Sequence, residues 1–180
     1  QDFLLKTSIL DRLSAPLCDA VADRGDSHAV LSSLEHANLF IIPLDPAREW
    51  YRYHHLFADL LRQRLRVEKP HAEALLHRCA CQWYADHDFR AEAIQHALAA
   101  ADWERAAELI SRAFDDLLKR GETVTLMNWY SALPEDFVEA RSDLCLAYSW
   151  PLIFAAQLDK AESYLRQAEQ LAQGDPARLG

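Results

Sequence analysis

Two adjacent histidines, His54 and His55, stand where a β-like run gives way to a helical one. An imidazole at that point could face a polar ligand, with the unpaired N–H groups and positive dipole end of the helix beside it. The same residues could instead cap the helix or pack under a hairpin, and residue type alone leaves both readings open. His77-Arg-Cys79-Ala-Cys81 also contains metal-ligating types. It falls in a helical pattern, however, where positions two apart point to different sides. Buried thiols are the better reading there, and no metal site is expected. The carboxylate pairs Asp115-Asp116 and Glu135-Asp136 read as solvated faces of an acidic helical chain. Trp50, Trp83, Trp103, Trp129 and Trp150 could line a ligand groove, but in stacked helices such residues more often form core and inter-repeat packing. No G-x-x-x-x-G-K-[ST], H-E-x-x-H or G-x-S-x-G pattern occurs, so no catalytic residue is expected and the chain reads as non-enzymatic.

Composition narrows the classes. Apolar residues make up 51% of the 180, enough for a core, and only four are Gly, which leaves little for phosphate-cradling loops. The net charge is −9. Residues 1–66 hold eight Lys/Arg and nine Asp/Glu, leaving eleven and nineteen for the remainder. Neither part has the basic balance of a phosphate-binding surface. The four cysteines are scattered without a CxxC pair, which suits a reduced, cytoplasmic setting. No run approaches the roughly 20 apolar residues of a membrane span, and no signal peptide is visible. The chain begins Gln1-Asp2-Phe3 and ends Arg178-Leu179-Gly180, which reads as an internal piece of a longer protein.

The elements that would position these residues are mostly helical. Thr7 or Ser8 is expected to cap a short helix through Leu13, and Ser14 a second one, with Pro16 in its first turn and an end near Ala22. Asp26 would cap a third over residues 27–37. Residues 39–42 and 49–53 suggest a hairpin around the turn at Leu44-Asp45-Pro46. A helix over residues 55–66 follows, with Leu56, Leu60 and Leu61 inward and Arg62, Arg64 and Arg66 outward. Three short helices and a hairpin give the order of a winged helix. Its third helix offers His28, Ser32, Ser33, Glu35 and His36 but no Lys or Arg, so it is not expected to read DNA.

From Pro70 on, helices are expected over residues 72–86, 91–100, 103–120, 123–133, 143–157 and 159–173. In the first, Leu75, Cys79 and Trp83 form one stripe, with Leu76, Ala80 and Tyr84 beside it. Asp102-Trp-Glu-Arg-Ala106 resembles Gln157-Leu-Asp-Lys-Ala161, and Asp88-Phe-Arg-Ala-Glu-Ala93 is similar with one extra residue. Each places a small Ala where a neighbouring helix can approach closely, which is tetratricopeptide-like logic with irregular spacing. Pro151 predicts a kink or break near residues 148–151. The fold class is therefore mostly α: a winged-helix-like domain at 1–67, then an arm and TPR-like superhelix segment at 68–180.

Phe3-Leu-Leu-Lys-Thr-Ser-Ile-Leu-Asp-Arg-Leu13, Ala37-Asn-Leu-Phe40, Trp50-Tyr-Arg-Tyr-His-His-Leu-Phe-Ala-Asp-Leu-Leu61 and Glu92-Ala-Ile-Gln-His-Ala-Leu98 resemble the segment after the ATPase core in MalT-like regulators, transcription activators of the STAND class of P-loop ATPases. The resemblance implies an internal segment that transmits regulatory signals. It would lie between an ATPase core and the rest of a superhelix sensing a small-molecule or protein inducer. DNA would be bound only by a LuxR-type C-terminal domain outside the chain, and the active full-length protein would self-associate. No cofactor is implied for the segment alone, whereas ATP or ADP with Mg is implied for the whole protein. In STAND proteins a Met-His-Asp motif touches the β-phosphate of ADP. Tyr53-His54-His55 occupies the matching place and makes His54 the candidate sensor, with Tyr and His standing in the Met and Asp positions. The competing class is a generic TPR-like protein–protein interaction scaffold.

Overall fold

The computed structural model describes residues 1–174. The chain divides into two compact units, Gln1–Ala101 and Asp102–Gly180.

The first unit opens with α1 (Asp2–Thr7), α2 (Ala15–Ala22) and α3 (Ser27–His36). The Ser14 hydroxyl accepts from the Leu17 amide and Pro16 lies in the first turn, so α2 begins as its local chemistry dictates. Thr7 and Ser8, expected to start a helix, finish one. Their hydroxyls donate back to the carbonyls of Phe3 (2.8 Å) and Leu5 (2.7 Å), the alternative bond open to any helical Ser or Thr. Residues 11–13 are consequently not helical. Leu13 instead exchanges two backbone hydrogen bonds with Tyr51 (2.7 and 2.8 Å) and adds an isolated antiparallel rung beside the hairpin.

That hairpin joins β1 (Ile41–Pro43) to β2 (Tyr51–Tyr53), antiparallel with Ile41 opposite Tyr53. Its loop is organised by Asp45, whose carboxylate accepts from the amides of Glu49 (3.2 Å) and Trp50 (2.7 Å). Those two bonds hold the carboxyl below its ordinary range.

α4 (His55–Glu68) buries Ala58, Leu61 and Leu65. Leu56 and Leu60, expected inward, are 67% and 59% exposed. The covered face of α4 lies one position around the helix, and Arg62 folds back to donate to the Ser8 carbonyl (2.9 Å) and to Asp11 (2.9 Å). α5 (Ala72–Asp86) and α6 (Arg90–Ala99) form an antiparallel hairpin, and α5 also packs on α2. Leu76, Ala80 and Tyr84 are the buried stripe of α5, while Leu75 on the neighbouring stripe is 60% exposed.

The second unit contains α7 (Trp103–Lys119), α8 (Thr123–Ser131), α9 (Glu135–Glu139), α10 (Ser142–Phe154) and α11 (Leu158–Gly174). α8 packs on α7 and α10, and α10 pairs with α11. Asp102 caps α7 by accepting from the Arg105 amide. Short α9 has no counterpart in the sequence-based expectation. Ala93, Ala106 and Ala161, the small residues of the recurring fragments, are all buried. α10 runs through Pro151 to Phe154 without the expected break. Pro151 lies in the last turn, where its missing N–H removes one bond and leaves no long C-terminal portion to redirect.

Several helices close on a left-handed residue followed by a wide backbone bond. Asp23, Asn38, Asp88, Gly121 and Ala156 have φ between 50° and 74°. The next amide then reaches back to the carbonyl of Asp19, Leu34, Tyr84, Leu117 or Leu152, respectively. This is the Schellman closure, and only one of the five uses Gly.

Candidate functional site

His54 occupies the N-cap position of α4. Its amide donates to the Phe40 carbonyl (2.8 Å), which ties the helix start to the hairpin. Its own carbonyl accepts from the amides of Phe57 and Ala58 (both 2.9 Å). No side chain caps the helix and no acidic residue lies in its first turn. The positive dipole end of this 14-residue helix therefore has no acidic residue of its own first turn to offset it. The imidazoles of His54 and His55 lie 4.4 Å apart between centroids, with His54 half-buried and His55 exposed. The sequence left side-chain capping open for these residues; the helix start is made by backbone alone.

The surroundings of His54 are aromatic. Phe40 has φ of 56° and stacks on Phe57 at 5.0 Å, and Phe57 meets Tyr53 edge-on at 5.8 Å. Tyr53 is buried and shares a 2.8 Å hydrogen bond with Thr7, and burial raises its phenol pKa. The wing strand that delivers His54 is thus anchored to α1 through a buried hydroxyl pair.

A second cluster joins the hairpin to α5 and α6. The Arg12 guanidinium lies 4.9 Å from the Trp50 ring centre and 5.6 Å from that of Phe89, and it pairs with Glu92. Trp83 meets Trp50 edge-on and stacks on His87 (4.0 Å) and Phe89 (6.0 Å). Beside them lies a cavity of about 580 Å³ bordered by Ser14, His28, Arg48, Trp50 and Trp83. Trp50 and Trp83 therefore share one cluster within this unit, whereas Trp150 is exposed in the other.

His77, Cys79 and Cys81 all lie on α5. Among the described residues no set of three or more His, Cys, Asp or Glu is arranged to hold a metal ion. Cys18, Cys81 and Cys145 are buried and Cys79 is half-buried, with no disulfide among them. Burial pushes the Cys18 thiol up to about 12, so it stays protonated and unreactive. His77 instead meets His96, Nδ1 to Nδ1 at 2.7 Å. The sequence offers no local signal for that pair, because the partners lie on different helices.

On α3, where a DNA reader would carry basic side chains, Ser33 donates to the Ala29 carbonyl and His36 bonds locally to Ser32. No described helix is long and apolar enough to cross a membrane.

Residues 1–74 match the MalT winged helix domain family. The serine/threonine-protein kinase PknK of Mycobacterium tuberculosis (strain H37Rv) is 34% identical over 176 residues, covering 94% of this chain and 16% of that protein. The HTH-type transcriptional regulator MalT of Cronobacter sakazakii is 29% identical over 175 residues, covering 97% of this chain and 19% of that protein. The chain thus spans less than a fifth of the length of these relatives. The three helices, the Leu13 rung and the hairpin with its Tyr53-His54 exit all fall within the residues that match the MalT winged helix domain, and nearly the whole chain is similar to a segment of each of these larger proteins.

Proposed function

We propose that this chain is the regulatory, signal-transmitting segment of a MalT-like, ATP-dependent transcription regulator, and that it couples nucleotide state in one module to inducer sensing in a helical superhelix. The observation that carries the reading is the position of His54. It leaves the wing strand, within the residues that match the MalT winged helix domain, at the start of a helix whose first turn holds no acidic residue. That arrangement fits a phosphate: the imidazole and the first amides of α4 would hold it by donated hydrogen bonds. A bound nucleoside diphosphate would supply the negative charge that this helix end lacks. The described residues contain no cluster suited to Mg, so in this reading the metal is held by another module of the longer protein.

Exposed apolar residues support the same reading. Leu56 and Leu60, one turn apart on α4, and Phe40 at its start all face solvent in this chain. Such a patch is characteristic of a surface covered by another module. In the resting state ADP would bridge that module and the winged helix, and inducer on the superhelix would favour the released state through its differential affinity for the two. Catalysis of ATP hydrolysis, DNA binding by a separate C-terminal domain, and self-association of the active form all belong to the longer protein. A cytoplasmic location is part of the same proposal.

The test uses the longer protein that contains this segment. His54→Ala should weaken ADP retention and raise basal activation, while His55→Ala, at the exposed neighbour, should change both much less. Unchanged ADP affinity and basal activity in the His54 variant would overturn the nucleotide role. A second reading, a TPR-like interaction scaffold, draws on the exposed Leu146, Trp150 and Phe154 along α10. A P-loop motif preceding this segment in the longer sequence decides for the regulator, and its absence for the scaffold.

A further inference from the structure

His77 on α5 and His96 on α6 are nineteen positions apart and face each other across the α5–α6 hairpin. Their Nδ1 atoms are 2.7 Å apart and their ring centres 5.0 Å apart. His96 is only 9% exposed, and its ring lies flat against Tyr84 at 5.3 Å and 20°. A hydrogen bond between two Nδ1 atoms needs one that carries a proton and one that does not. The pair can therefore be neutral or singly charged. With both rings protonated, two N–H groups would point at each other at hydrogen-bond distance.

The carboxylates near the pair, Asp11 and Glu73, favour its protonation, but each is already paired with an arginine. The pair borders a cavity of about 360 Å³ also lined by Asp11, Arg62, Arg66, Glu73 and Gln95. α4 contributes the cations Arg62 and Arg66. Asp11, from the connection between α1 and α2, is taken by Arg62, and Glu73 of α5 is held by Arg66 at 3.1–3.2 Å. On α6, Glu92 is paired with Arg12. From α2, Asp19 accepts from the Ser27 amide and Cys18 is a buried thiol. The cavity reaches the pair, while the ion pairs around it are already closed.

We infer that the His77–His96 pair is an acid-sensitive latch: it joins α5 to α6 while it holds at most one extra proton, and binding of the second proton opens the hairpin. Burial, reinforced by the charge of His77, pushes the His96 pKa down to about 4 from 6.5, and burial lowers that of His77. A folded-state pKa below the unfolded value stabilises the closed hairpin above about pH 6.5, and this contribution is lost as pH falls from there toward 4. The latch is independent of the nucleotide reading of His54.

Hydrogen exchange on the 180-residue chain tests it. Between about pH 7.5 and pH 4, protection of the α5 and α6 amides should fall at least about tenfold after correction for intrinsic exchange, with much smaller changes in α10 and α11. The double variant His77→Gln/His96→Gln pairs two amides that do not titrate, and its α5–α6 protection should be independent of pH over that range. Imidazole resonances of the unmodified chain give a second readout that does not depend on the variant folding. His77 and His96 should titrate in two separate steps, with the lower one coinciding with the loss of protection. The same tenfold loss in the double variant, or a single histidine step near the free value without any loss, would overturn the latch.

Discussion

Leu13 combines two roles that are usually separate. Its side chain is fully buried, and its backbone supplies both bonds of the rung against Tyr51. Leu13→Ala leaves those bonds available and removes only the packed side chain, so it should cost about 2–5 kcal/mol in urea unfolding. Arg12 next to it works differently. Its planar guanidinium lies against Trp50 and Phe89 while pairing with Glu92. Arg12→Lys keeps the charge but loses the flat contact, and a loss of about 1 kcal/mol is expected in the same measurement. The side chains that misled sequence reading do so for comparable reasons. Thr7 and Ser8 carry hydroxyls that can open a helix or bond back onto one, and the sequence does not say which carbonyls will be near. Leu56, Leu60 and Leu75 obey helical periodicity, yet periodicity does not select which of two adjacent apolar stripes a neighbour will cover.

At the scale of elements, local chemistry was the most legible. Ser14 and Pro16 announce α2, Asp45 organises the hairpin loop, and the bounds of α5 match those expected from its sequence. The Schellman closures were much less visible, because the usual marker is Gly and four of the five use Asp, Asn or Ala. This difference is measurable. A left-handed Ala costs roughly 1–2 kcal/mol, partly offset by the larger entropy that Gly loses on folding. Ala156→Gly should therefore stabilise the chain by roughly 0.5–1 kcal/mol. Gly121→Ala should destabilise it by about 1 kcal/mol through backbone strain alone, since an added Cβ there meets no atom within 4 Å. Thermal unfolding of the two variants should move in opposite directions. α9 escaped sequence reading because five residues cannot display a helical period, and the His77–His96 pair because only the folded hairpin brings its members together.

For the whole molecule, acidity and an α3 without Lys or Arg set a limit on partners. Fluorescence anisotropy at roughly physiological salt should show no sequence-specific retention of duplex DNA by this chain. The order of three helices, a hairpin and then helical pairs was readable from residue patterns, and so was the position of His54 at the junction between wing and helix. What His54 faces lies beyond any pattern internal to the chain, because in the proposed reading the start of α4 is completed by a nucleotide held by another module.

The tryptophans have a practical consequence for optical experiments. Trp50 and Trp83 belong to the first unit, while Trp103, Trp129 and Trp150 belong to the second. Trp50 and Trp83 are ring neighbours, and Trp83 also stacks directly on an imidazole. Replacing the three in the second unit with Phe would leave tryptophan emission, excited selectively at long wavelength, that comes from the winged helix and the α5–α6 hairpin alone. Stopped-flow acidification could then follow that unit in real time, without an attached dye.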